Sequence, residues 1–265
     1  MEEIIVIRCM DRRGGKRLDQ KKKTESAQGR AVYELALGGA EVESVYDDVD
    51  SRIENGDVVR IDYMPHGSTE PGIKGCGAVA TAQQVARGQR ETSERLKERY
   101  VQRLEGMGVE LEKLSSSEAE TAIARAEMNA LEEHLKKRGL NVPIVYSPMA
   151  FGKEDEQHGE KLAVMFRFPT TRTMEADLEA LKKTGTSLKQ EDTYLVSCGN
   201  PERALVSLEM AVSVIGAKDI FLVATNDREF NALSKFQDTL AREPFMNGAS
   251  ISLRKIDGNR SKIKI

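Results

Sequence analysis

Cys9, His66 and Cys76 carry soft-metal ligand chemistry, and each falls just after or just before an ordered-looking element. Cys9 follows the apolar run "IIVI" at 4–7, His66 follows "VVRIDYM" at 58–64 and a proline, and Cys76 stands in "GCGAVATAQQVA" at the start of a helix-like stretch. A thiolate, an imidazole and a second thiolate offer zinc three protein donors and leave a fourth tetrahedral position for water, which is the open arrangement of a catalytic site. Gly67, Gly72, Gly75 and Gly77 would let the backbone turn sharply between the last two ligands. A helix amino terminus after Cys76 would help to stabilise its thiolate. Beside Cys9 stand Asp11, Arg12 and Arg13, placed where open α/β sheets bind ligands, beyond the carboxyl ends of strands.

The elements that must position these residues alternate at both ends of the chain. After a strand at 4–8 the pattern predicts a helix near 26–38 closed by Gly38-Gly39, strands near 42–46 and 58–64, and a helix entered at Cys76. Residues 87–139 are charge-rich and helical instead. Thr92, Leu96, Tyr100 and Leu104 are spaced by four, and "SSSE" at 115–118 precedes a second helix with Ala119, Ile123, Ala126, Ala130 and His134 on one face. Such thin stripes predict a helical hairpin inserted into a sheet domain of residues 1–86 and 140–265, projecting from it or packing on a partner subunit. Strands near 142–147, 161–167, 193–198, 219–224 and 250–256 then alternate with helices near 173–184, 201–215 and 228–241. The expected fold is α/β, a mostly parallel sheet flanked by helices.

"CMDRR" at 9–13 resembles the Cys-x-Asp-x-Arg motif of the β-class carbonic anhydrases, in which a first strand supplies a cysteine ligand and the Asp-Arg pair beside it. The family's Gly-His-x-x-Cys-Gly is similar in residue types to "HG…GCGAV" here, although nine residues separate His66 from Cys76 where the family has two. The segment 194–227 is similar to the family's strand, Gly-Asn turn, helix and strand, with Thr225 and Arg228 where ligands would stand. Two arrangements fit this split pattern: two degenerate copies of one unit, or a single enlarged sheet with its ligands on a different strand. The resemblance implies zinc at Cys9, His66 and Cys76, with Asp11 accepting a hydrogen bond from the zinc-bound water or filling the fourth position itself. Arg13 would hold Asp11 off the metal. The activity implied is hydration of carbon dioxide to bicarbonate, or reaction of a related small molecule such as carbonyl sulfide or carbon disulfide, by hydroxide formed as the metal lowers the pKa of water to about 7. The alternative is a non-catalytic protein of the same fold, acting as a binding or scaffold protein through its helical hairpin.

Composition narrows the field further. With 265 residues, 39% apolar and 31% charged, the chain can bury a sizeable core. No apolar run approaches 18 residues and Glu2 and Glu3 stand where a secretory signal would be basic, which predicts a cytoplasmic protein without a membrane span. Three cysteines do not make a disulfide framework. A net charge of −3 and the lack of tryptophan argue against nucleic acid as a partner, and the basic run 12–23 reads as a solvated surface. The expected partners are a small-molecule substrate and further copies of the chain, as a homodimer or higher homo-oligomer. Cys198 reads as a buried, apolar-like side chain, His134 as a packing histidine, His158 as exposed loop and the carboxylates of 105–133 as the solvent face of the hairpin.

Overall fold

The computed structural model describes residues 1–68, 75–152, 164–187, 189, 192–196 and 200–256. Gly72, His158, Cys198 and parts of two expected strands, 161–163 and 197–198, lie outside the described residues. The front of the chain gives β1 (Glu2–Cys9), α1 (Gly15–Ala27), β2 (Ala31–Leu37), α2 (Tyr46–Asn55), β3 (Asp57–Met64), β4 (His66–Ser68) and α3 (Gly77–Ala86). The helical insertion holds α4 (Glu94–Lys97), a wider turn (Glu98–Gln102), α5 (Arg103–Gly106) and α6 (Ser116–Arg138). The chain then continues through β5 (Ile144–Tyr146), β6 (Met149–Phe151), β7 (Val164–Thr170), α7 (Met174–Lys183), β8 (Asp192–Val196), α8 (Leu205–Met210), β9 (Asp219–Ala224), α9 (Asp227–Leu240) and β10 (Ser250–Lys255). None of the described helices is long and apolar enough to cross a membrane.

The fold is α/β, a mostly parallel sheet with helices on both faces. Eight strands run in the order β10-β9-β8-β7-β2-β1-β3-β5. Every neighbouring pair is parallel except β2 and β7. β1 lies inside the sheet with Ile4 to Ile7 fully buried. Ile5, Ile7 and Cys9 face a core shared with α3, α6 and α8, while Ile4 and Val6 meet Leu18 of α1 on the other side. Burial on both faces explains why the run is continuously apolar rather than alternating.

Two expected elements are corrected. Residues 26–38 are not a helix: α1 begins earlier and ends at Ala27, Gly29 takes φ +79°, and "AVYELAL" at 31–37 is β2. Ala, Glu and Leu favour helix on their own, but here β1 and β7 flank the segment and tertiary pairing overrides propensity. Residues 42–46 are not a strand, because Val42 and Val45 are buried through a short helical turn that leads into α2.

The antiparallel seam carries buried charge. Glu34 of β2 is fully buried and binds three cations. Arg8 Nε donates to it at 2.7 Å and Lys22 Nζ at 2.6 Å, and Arg167 Nη1 of β7 binds the same carboxylate. Arg167 Nη2 also donates to buried Asp177 of α7 at 2.6 Å. The basic run 12–23 is therefore only partly a solvated surface: Lys16, Arg17 and Lys23 are exposed, but Lys22 is buried in this network.

The hairpin does not project from the sheet. Leu96, Tyr100, Leu104, Leu111, Ala119, Ile123, Leu131 and Leu135 belong to the same core as β1 and β3. The inner stripe of α6 is 119, 123, 127, 131 and 135 rather than 119, 123, 126, 130 and 134, since buried Glu127 occupies its middle. Glu127 is not a solvent-face carboxylate. It receives Arg103 Nη2 at 3.0 Å and the Val42 N–H at 3.0 Å. His134 packs as expected, stacked on Tyr46 at 3.8 Å and 2.8 Å from Asp50 Oδ1.

Candidate metal centre

Three segments converge on one buried point at the carboxyl ends of β1 and β3. Cys9 is the last residue of β1, His66 follows β3 after Pro65, and Cys76 is the N-cap of α3. The Cys9 and Cys76 sulfurs lie 3.9 Å apart, and their ligand atoms and that of His66 all lie within 4.8 Å of one another. Two thiolates on one tetrahedral zinc at ~2.3 Å would stand about 3.8 Å apart. The separation thus suits a shared metal and is far too long for a disulfide, and both cysteines are free.

His66 supplies a second test of fit. Its ring is buried, yet among the described residues neither Nδ1 nor Nε2 has a hydrogen-bond partner. An orphaned polar atom in the interior is costly unless something binds it, and a metal would satisfy one of these nitrogens. Burial alone would lower the His66 pKa, but the negative charge of Cys9 and of Asp11 outweighs it and raises the value. The hydrogen bond from Cys76 holds Cys9 well below the usual thiol value, and the same bond, with burial, pushes Cys76 up. The backbone N–H groups of Ala78 and Val79, at the start of α3, favour the Cys76 thiolate.

Asp11 and Arg13 are joined beside this group. Arg13 Nη2 donates to Asp11 Oδ2 at 2.7 Å, Nε lies 3.1 Å from each carboxylate oxygen, and the Arg13 N–H donates to Oδ1 at 2.9 Å. Burial would raise the Asp11 pKa, but Arg13 outweighs it and keeps the carboxylate below its ordinary range. Asp11 Oδ2 lies 3.7 Å from His66 Nε2, and the Asp11 side chain is 23% exposed, so it reaches from the buried donors toward solvent. Arg13 Nη2 also donates to the Gly75 carbonyl at 3.0 Å, tying the first strand's loop to the Cys76 loop.

Other residues of the site carried no recognisable signal. β6 pairs with β4, His66 opposite Met149, and lays Phe151 against the site. The Phe151 ring is 4.7 Å from the His66 ring, and the Arg13 guanidinium sits 4.5 Å over it. Arg8 reaches from the buried seam, its Nη1 donating to the Cys9 carbonyl at 2.6 Å and the Asp11 carbonyl at 3.2 Å. Glu120, of the insertion, accepts the Cys76 N–H at 2.7 Å. In the rear half, among the described residues, Thr225 belongs to no metal-binding group; its hydroxyl donates to Glu229 at 2.7 Å.

No family model and no curated protein matches the chain. Among solved structures, a crystal structure of an uncharacterized protein from Actinobacillus succinogenes aligns over 95% of this chain and 94% of its own, at 10% identity and a TM-score of 0.20. A superposition of that quality carries no argument about fold or function.

Proposed function

We propose that the chain is a zinc enzyme of the β-carbonic-anhydrase type that hydrates carbon dioxide, or acts on a related small electrophile such as carbonyl sulfide or carbon disulfide. The observation that carries this reading is the buried Cys9–His66–Cys76 group with an ionised Asp11 held against it by Arg13. Zinc bound there would supply a Lewis acid that lowers the pKa of a coordinated water to about 7. Asp11 is an acceptor only, so it would take a hydrogen bond from such a water and leave a lone pair of that water for the substrate carbon. Arg13 engages both Asp11 oxygens, which restrains the carboxylate from turning in as a further ligand. Phe151 covers the His66 side with an apolar face, which suits a small uncharged substrate. Metal analysis with stopped-flow hydration tests the reading. The parent chain should hold one zinc and show hydration that rises with pH, and Cys9→Ser, His66→Ala and Cys76→Ser should each lose metal. No hydration above buffer background, from about pH 6 to about pH 9, in protein carrying full zinc would reject carbon dioxide as the substrate.

A further inference from the structure

We propose that Glu120 is a positioning residue for the metal centre, its carboxylate clamping the two ends of the 67–75 loop so that His66 and Cys76 stay at ligand separation. The inference rests on the metal reading of Cys9, His66 and Cys76 given above. Nine residues separate His66 from Cys76, and a free loop of that length pays closure entropy each time its ends must meet. Glu120 stands at both ends. Its Oε1 accepts the Cys76 N–H at 2.7 Å. A Cβ on Gly75 would lie 2.0 Å from Oε1, and a Cβ on Gly67 would lie 2.3 Å from Oε2, both well inside any real contact. Neither glycine adopts a positive φ, so a methyl group added at either place would act by pushing the carboxylate aside rather than by straining the backbone.

The clamp is itself held firmly. Glu120 lies in the second turn of α6, whose start is fixed by a reciprocal cap between Ser115 and Glu118. Gln83 of α3 donates through Nε2 to the Leu114 carbonyl at 2.9 Å, just ahead of that cap. The helix that Cys76 caps is therefore cross-tied to the helix that carries Glu120. Among the described residues no Lys or Arg pairs with Glu120, and the hydrogen bond it makes is to the ligand residue's backbone. The helical insertion thus adds to its packing against the core that holds Cys9 and Cys76 a polar contact to the Cys76 backbone.

The experiment measures zinc affinity of the full chain by competition with a chromophoric chelator, together with the thiolate-to-metal absorption of the cobalt-substituted protein. Glu120→Ala should weaken zinc binding by roughly 10- to 100-fold, the usual cost of removing a group that orients a metal ligand, and should diminish the cobalt–thiolate band. Glu120→Gln keeps the acceptor oxygen and should recover most of the affinity. Gly75→Ala should copy the loss, and adding Glu120→Ala to it should cost little more. The metal-free Glu120→Ala protein should unfold at the parent's temperature, because the side chain is only partly buried and lies outside the apolar core. Zinc affinity within threefold of the parent with an unchanged cobalt spectrum would overturn the clamp, and so would a loss of affinity matched by an equal loss of metal-free stability. A parent chain that takes up neither metal would overturn the metal reading itself, and the clamp with it.

Discussion

Glu34→Gln tests the buried seam that joins the two parallel runs of the sheet. The substitution keeps side-chain volume and one acceptor oxygen but removes the charge that Arg8, Lys22 and Arg167 share. Arg167 keeps Asp177 as a partner, whereas Arg8 and Lys22 lose the carboxylate they bind. Leaving buried charge uncompensated costs roughly 3–5 kcal/mol. At about 2–4 °C per kcal/mol for a chain near this size, the midpoint of thermal unfolding should fall by roughly 6–20 °C. The pH dependence carries the sharper signature. Burial would raise the Glu34 pKa, but the three cations outweigh it and hold it far below its ordinary 4.5, so its stabilisation is full above that value and is lost as pH falls through the lower folded value. Lys22 is lowered by burial to about 8 even with Glu34 beside it, against an ordinary 10.5. Between those values the unfolded chain binds more protons than the folded one, so stability gains from Lys22 as pH rises. Without Glu34 the folded value drops further and this gain starts at lower pH. The gap between parent and variant, measured by urea unfolding, should therefore narrow on going from about pH 7 to about pH 9. A loss under ~1 kcal/mol, or a gap that does not change with pH, would refute the reasoning.

Arg13→Ala should leave zinc bound while carbon dioxide hydration falls by ~100-fold or more, because Asp11 loses its guanidinium and turns toward the donors; stopped-flow rates on metal-verified protein decide it, and an unchanged rate would be fatal. Leu131→Ala, at a fully buried position on the insertion, should destabilise the fold by roughly 2–5 kcal/mol in urea unfolding, where a projecting hairpin would lose almost nothing. Removing metal with a chelator should make Cys9 and Cys76 newly reactive toward a thiol reagent under partly denaturing conditions, two thiols per chain; protection that ignores the chelator would mean packing alone shields them.

How far local pattern reached depended on which interactions make each feature. β1, β3, α3 and the rear alternation were legible because they rest on local periodicity and burial, and the ends of β9 fall where the pattern put them. That Cys9, His66 and Cys76 could come together as a group able to hold a metal was legible for a chemical reason: few side chains ligate soft metals, and all three adjoin element boundaries. β2 was not, since "AVYELAL" is helix-prone by itself and becomes a strand only between β1 and β7. Its Glu34 is tolerable in the interior only because Arg8, Lys22 and Arg167 arrive from three other elements. The insertion's stripe was misjudged for the same reason: Glu127 reads as a surface residue until Arg103 and the Val42 N–H meet it. Glu120, Met149 and Phe151 join the site through contacts far apart in sequence, where no spacing rule reaches. Side chains able to bind a metal announce themselves by their chemistry. Those that hold them in place do so by position, and position is decided by tertiary packing.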